Sequence, residues 1–128
     1  MLGTVNTIEE TVRLAQFGLR RITKIHIKNF EKDLPKDEKL LAVGFDMFHP
    51  KNQVYVTDKR IIFIKIFRPH DVKRKNILIK HITAVDFDKF GTFAMINIAT
   101  ANENEGIGYI PIHIGQEINL IVEKLMAE

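Results

Sequence analysis

Seven short stretches rich in isoleucine, valine and phenylalanine, each cut off by turn-forming residues, constrain this chain more than any other feature. They are Leu40 to Phe45, Gln53 to Thr57, Arg60 to Phe67, Asn76 to Ile79, Ala84 to Asp88, Phe93 to Ala99 and Ile107 to Ile114. Between them lie His49-Pro50-Lys51-Asn52, Thr57-Asp58-Lys59, Arg68-Pro69-His70-Asp71, Gly91 and Asn102 to Gly106, every one with Pro, Gly, Asn or Asp. Parallel strands need crossovers of a dozen residues or more, and these connections are too short for them. The pattern therefore predicts an antiparallel sheet, and 128 residues suffice for one ordinary core.

A helix is expected at each end. From Thr7 to Lys32, apolar residues at Ile8, Val12, Ala15, Leu19 and Ile22, followed by His26, alternate spacings of four and three. At 100° per residue they stay within about 40° of one direction, while Arg13, Arg20, Arg21, Lys24 and Lys28 take the opposite side. Thr7 with Glu10 forms a capping-box pattern, with Asn6 and Glu9 a competing pair one residue earlier; Pro35 should stop the helix by about Asp33, and in its second half Ile25-His26-Ile27 also fits strand alternation. The second helix, Gln116 to Ala127, follows Gly115 and carries Ile118, Ile121, Val122 and Leu125 on one face, with Glu117 expected in its first turn. The division is then residues 1–35, an amphipathic helix and linker, and residues 36–128, the β domain.

The segment Val54-Tyr55-Val56-Thr57-Asp58-Lys59-Arg60-Ile61-Ile62-Phe63 resembles the strand-turn-strand signature of bacterial pleckstrin-homology-like (PH-like) domains. Downstream, Ile79-Lys80-His81-Ile82-Thr83-Ala84-Val85 is similar to the family's next apolar step, and the likeness runs from about Lys36 to Ala127. It implies a seven-stranded, half-open antiparallel barrel with a C-terminal capping helix, the long first helix being extra. It also implies a noncatalytic binding or scaffold module. The phosphoinositide motif of the eukaryotic relatives does not map onto these residues.

The chemistry in the sequence points the same way. Without serine or cysteine the commonest acyl-transfer nucleophiles, disulfides and thiolate metal sites are ruled out, and a cytoplasmic address is expected. His26, His49, His70, His81 and His113 are scattered, with no zinc-ligand spacing, so neither metal nor cofactor is expected. Asp86 and Asp88 should face solvent, opposite Val85 and Phe87, and Gly106-Ile107-Gly108 precedes a strand instead of joining strand to helix. The start of the chain shows neither a secretory leader nor a lipid anchor, and the apolar run Ile61 to Phe67 is far short of the roughly 20 residues that span a bilayer.

Charge is unevenly placed. Eight basic residues against Asp71 lie between Lys59 and Lys80, within a net charge of +3. A loop from Arg68 to Lys75 is expected, with Arg68, Lys73, Arg74 and Lys75, together with Arg20 and Arg21, as candidate anion-binding residues. The apolar stripe of the first helix needs cover, from its own barrel or from a second copy. Self-association into a homo-oligomer, through Ile8, Val12, Ala15, Leu19 and Ile22 or through a barrel edge, is the leading functional expectation. Peripheral binding of an anionic membrane surface through the basic patches is the alternative, and an enzyme ranks third. A separate protein partner remains open, and nucleic acid is disfavoured because no recognition module accompanies the charge.

Overall fold

The computed structural model describes residues 29–30, 32–49, 52–68 and 71–128. Most of the expected first helix, and with it the stripe from Ile8 to His26, lies outside those residues. The helical backbone at Asn29, Phe30, Lys32 and Asp33 gives way at Leu34, immediately before Pro35.

Seven strands follow: β1 (Leu40–Phe45), β2 (Asn52–Thr57), β3 (Arg60–Arg68), β4 (Asp71–Leu78), β5 (Ile82–Phe90), β6 (Phe93–Thr100) and β7 (Asn104–Pro111). Every pairing is antiparallel, and the strands form two meanders, β1-β2-β3-β4 and β5-β6-β7. A 3-10 turn, Ile79–His81, carries the chain from one sheet to the other. The closing helix, Ile112–Ala127, buries Ile114, Ile118 and Val122 in the core between the sheets, against side chains such as Val54, Phe63 and Ile96. This is the half-open barrel with a C-terminal cap expected from the sequence.

Two elements differ from the sequence expectation. The segment from Asp71 to Lys75 is strand, so Lys73, Arg74 and Lys75 sit on β4 and only the first part of the expected basic loop is a connection. Register explains it: Lys65 lies opposite Lys73, Ile64 opposite Arg74 and Phe63 opposite Lys75, and a free edge strand tolerates charge that also blocks further pairing. The second difference is that β7 starts and stops three residues early and the helix begins at Ile112, which puts Glu117 beyond its first turn. Two glycines permit this. Gly106 lies flat on β6, where a Cβ would come within 3.0 Å of the Ile96 carbonyl oxygen, and Gly115 packs inside the helix, where a Cβ would lie 2.9 Å from Ala94 Cβ. Pro111, which has no N–H to donate, ends the strand where the helix starts.

Candidate binding surface

Four aromatic rings from three distant segments meet at one rim of the barrel. Asp46, buried at the end of β1, accepts hydrogen bonds at Oδ1 from the Phe48 N–H (2.8 Å) and the His49 N–H (2.9 Å), which folds the β1–β2 connection into a tight turn and turns Phe48 outward. Phe90 and Phe93 are opposed across the β5–β6 hairpin, whose turn uses Gly91 at φ +62°. The fourth ring, Tyr109, depends on a β-bulge. Ala94 pairs with Ile110 and Ile96 with Ile107, so β7 holds one residue more than β6 over this stretch.

Tyr109 takes up that extra residue in the left-handed region, at φ +54°, a conformation that costs a side chain with Cβ about 1–2 kcal/mol. Its carbonyl oxygen accepts the Met47 N–H at 3.0 Å, tying the bulge to the β1–β2 turn. The rings then meet edge to face: Tyr109 with Phe48 at 4.9 Å between centroids, with Phe90 at 5.4 Å and with Phe93 at 6.1 Å, while Phe48 and Phe93 are 5.3 Å apart. Despite these contacts Phe48 remains 61% exposed, Tyr109 41% and Phe90 37%. Several large rings exposed together, with a strained residue among them, make this rim the candidate binding surface.

The basic residues are distributed differently from the sequence expectation. Lys75 points across the gap to the second sheet, its Nζ 2.9 Å from Glu103 and 3.5 Å from Glu105, and its pKa is raised, chiefly by the hydrogen bond to Glu103. The Arg74 guanidinium lies 5.2 Å from the Phe30 ring centroid on the opposite face of the sheet, and Lys73 Nζ lies 5.5 Å from that of Phe67. Arg68 is exposed near the β3–β4 turn. The four are thus near one another in the hairpin, but Arg74 takes the opposite face of β4 from Lys73 and Lys75. Arg20, Arg21 and the candidate contact residues Ile8, Val12, Ala15, Leu19 and Ile22 lie outside the described residues.

Asp86 and Asp88 are exposed, as the alternation with Val85 and Phe87 predicts. Among the described residues no group of three His, Cys, Asp or Glu could hold a metal ion, and no helix is long and apolar enough to cross a membrane. Sequence reasoning missed the aromatic rim. Its trace was present: Phe90 and Phe93 flank Gly91, Phe48 precedes Pro50 and Tyr109 follows Gly108, so each ring stands beside a backbone breaker instead of inside an apolar alternation.

No protein-family model matches the chain, and no curated protein matches it. Solved structures do. A DUF1696 family protein with a pleckstrin-homology domain from Shewanella loihica PV-4 superposes with a TM-score of 0.58 at 13% identity, over 80% of this chain and 94% of that one. A pleckstrin homology domain from Shewanella amazonensis SB2B gives 0.56 at 16% identity, over 82% and 87%. At such identities the likeness is one of fold, and the fold is that of bacterial pleckstrin-homology domains.

Proposed function

On the premise of that fold, we propose that the chain is a noncatalytic binding and scaffold module that associates with copies of itself through the aromatic rim of the barrel. The observation that carries this reading is the ring cluster in which Phe48, Phe90 and Tyr109 are exposed around the half-buried Phe93. Aromatic side chains dominate interface cores, where they bring large, rigid contact area at little cost in rotamer entropy. These rings carry no charge, so a two-fold axis through the cluster can set it against itself without like-charge repulsion, as an isologous contact requires. The rim lies where β7, the edge of the second sheet, meets the β1–β2 turn, so the contact is a form of the barrel-edge association expected from the sequence. A reducing, cytoplasmic setting suits the cysteine-free composition.

Sedimentation velocity at tens of micromolar tests the proposal. The wild type should run as a dimer or larger, and Phe48→Ser/Tyr109→Ser should run as a monomer that keeps a cooperative circular-dichroism melt, with a midpoint lowered by the loss of association. A monomeric wild type, or a double variant that stays associated, overturns it.

A further inference from the structure

The outer face of the first sheet, turned away from the core, is itself apolar. Along β2, Val54 and Val56 enter the core while Gln53 and Tyr55 point to the other side, where Tyr55 joins Val43, Ile62, Ile64 and Ile66 in a second cluster. Each of those five is at most 5% exposed. Among the described residues, only Phe30 and Leu34 pack on this face from ahead of the sheet. Phe30 stacks on Tyr55 with 4.0 Å between centroids and 23° between planes. One ring and one leucine are smaller than a face that runs across β1, β2 and β3, roughly 10 Å, and along β3 from Ile62 to Ile66, roughly 13 Å.

Two observations say what else belongs there. Phe30 stands four residues beyond His26, which at 100° per residue keeps it within about 40° of the stripe that begins at Ile8. The side chain already seated on the face is therefore the next member of that stripe. From Ile22 to Phe30 a continuous helix would be about 12 Å long, close to the roughly 13 Å of the apolar run from Ile62 to Ile66. Second, the face contains a polar group with an open valence. Gln53 is 1% exposed; its Oε1 accepts the Tyr55 hydroxyl at 2.7 Å, and its Nε2 has no acceptor among the described residues. On a continuous helix the polar member of the stripe, His26, would come four residues, about 6 Å, before Phe30, and Gln53 lies two residues, roughly 7 Å, along β2 from Tyr55.

We propose that the end of the stripe nearest Phe30, from Ile22 onward, docks on the outer face of the first sheet of its own chain, with an imidazole nitrogen of His26 accepting from Gln53 Nε2. Of the two covers the sequence allows, this selects the chain's own barrel over a second copy. Phe30 already fixes one end of the stripe on the face, so the rest of it meets this sheet at the high effective concentration of a short tether. The basic residues Arg13, Arg20, Arg21, Lys24 and Lys28 then turn to solvent, and the aromatic rim is left as the surface for association between copies.

A spin label separates the two arrangements. The chain has no cysteine, so Gln16→Cys, on the flank of the stripe, gives a single nitroxide site. In the Phe48→Ser/Tyr109→Ser background, which removes the rim contact, the label should broaden amides of β1 to β3 by more than half in a uniformly nitrogen-15 sample, and a mixture of labelled nitrogen-14 chains with unlabelled nitrogen-15 chains should leave them sharp. Broadening in the mixture, or sharp β1 to β3 amides in both samples, overturns the docking. His26→Leu should lower the thermal midpoint in the wild-type background and leave it unchanged in Gln53→Leu; equal shifts in both overturn the His26–Gln53 pairing.

Discussion

The two sheets line the same core but differ on their other sides. In β5 and β6 the burial alternates, with Ala94, Ile96 and Ile98 inside and Met95, Asp86 and Asp88 toward water. In β2 and β3 it does not: Val54, Tyr55 and Val56 are buried in succession, as are the four residues from Ile61 to Ile64. A strand that alternates is finished once one face is covered. A strand that is apolar on both sides needs a layer on each, and the second sheet supplies only one of them. The difference teaches that the first sheet carries side chains that call for cover on both faces, and the second on one.

The largest expected effect breaks that comparison at Ile62, which is fully buried on the outer face of the first sheet. Ile62→Asp buries an unpaired carboxylate and should cost about 4 kcal/mol, a large part of the 5–15 kcal/mol that holds a typical domain. Thermal denaturation followed by circular dichroism should show a midpoint lowered by well over ten degrees or no cooperative transition. An undisturbed midpoint would mean that this face is open to water after all.

A smaller effect sharpens the comparison at the rim of the same sheet. Glu38, in the link before β1, accepts hydrogen bonds from Arg60 Nε at 2.7 Å and Thr57 Oγ1 at 2.6 Å, and its side chain is mostly covered. Burial alone would raise its pKa, but the hydrogen bonds from Arg60 and Thr57 outweigh that, and the carboxyl lies below its usual range. A carboxylate held below its unfolded value stabilises the fold at neutral pH, and the contribution fades as the pH falls below the unfolded value and through the folded one. Glu38→Gln should therefore lower stability by about 1–2 kcal/mol in urea titrations at pH 7, with the gap to wild type closing in strong acid. A gap independent of pH would assign the effect to packing instead of charge.

The smallest effect belongs to the second sheet. Met95→Asp, on its outer face, should change stability by about 0.5 kcal/mol in the same urea titrations. A loss comparable to that of Ile62→Asp would show that this sheet, too, has a covered outer side.

How far the sequence could be read follows from the same contrast. Strands bounded by turn formers, such as β1 and β3, were legible nearly to the residue. The charged half of β4 was not, because an edge strand can carry Lys73, Arg74 and Lys75 where a central strand would need apolar side chains, and charge looks like loop from outside the fold. The early start of the closing helix was hidden by Gly115, which looks like a breaker but serves a close helix-to-sheet approach. The aromatic rim was least visible of all: Phe48, Phe90 and Tyr109 become neighbours only through a bulge and two turns, and local periodicity carries no record of such contacts.

The two tyrosines stand in a relation with a practical consequence. The chain has no tryptophan, so all its near-ultraviolet emission comes from Tyr55 and Tyr109. Tyr55 is sealed beneath Phe30, where burial pushes its phenol well above the ordinary range, while Tyr109 stands at the rim, half open to water. A soluble quencher therefore reaches one emitter and not the other. Without any added dye the protein carries one optical reporter for the rim and a second for the covered face, and a single-tyrosine variant at either position reads out that surface alone.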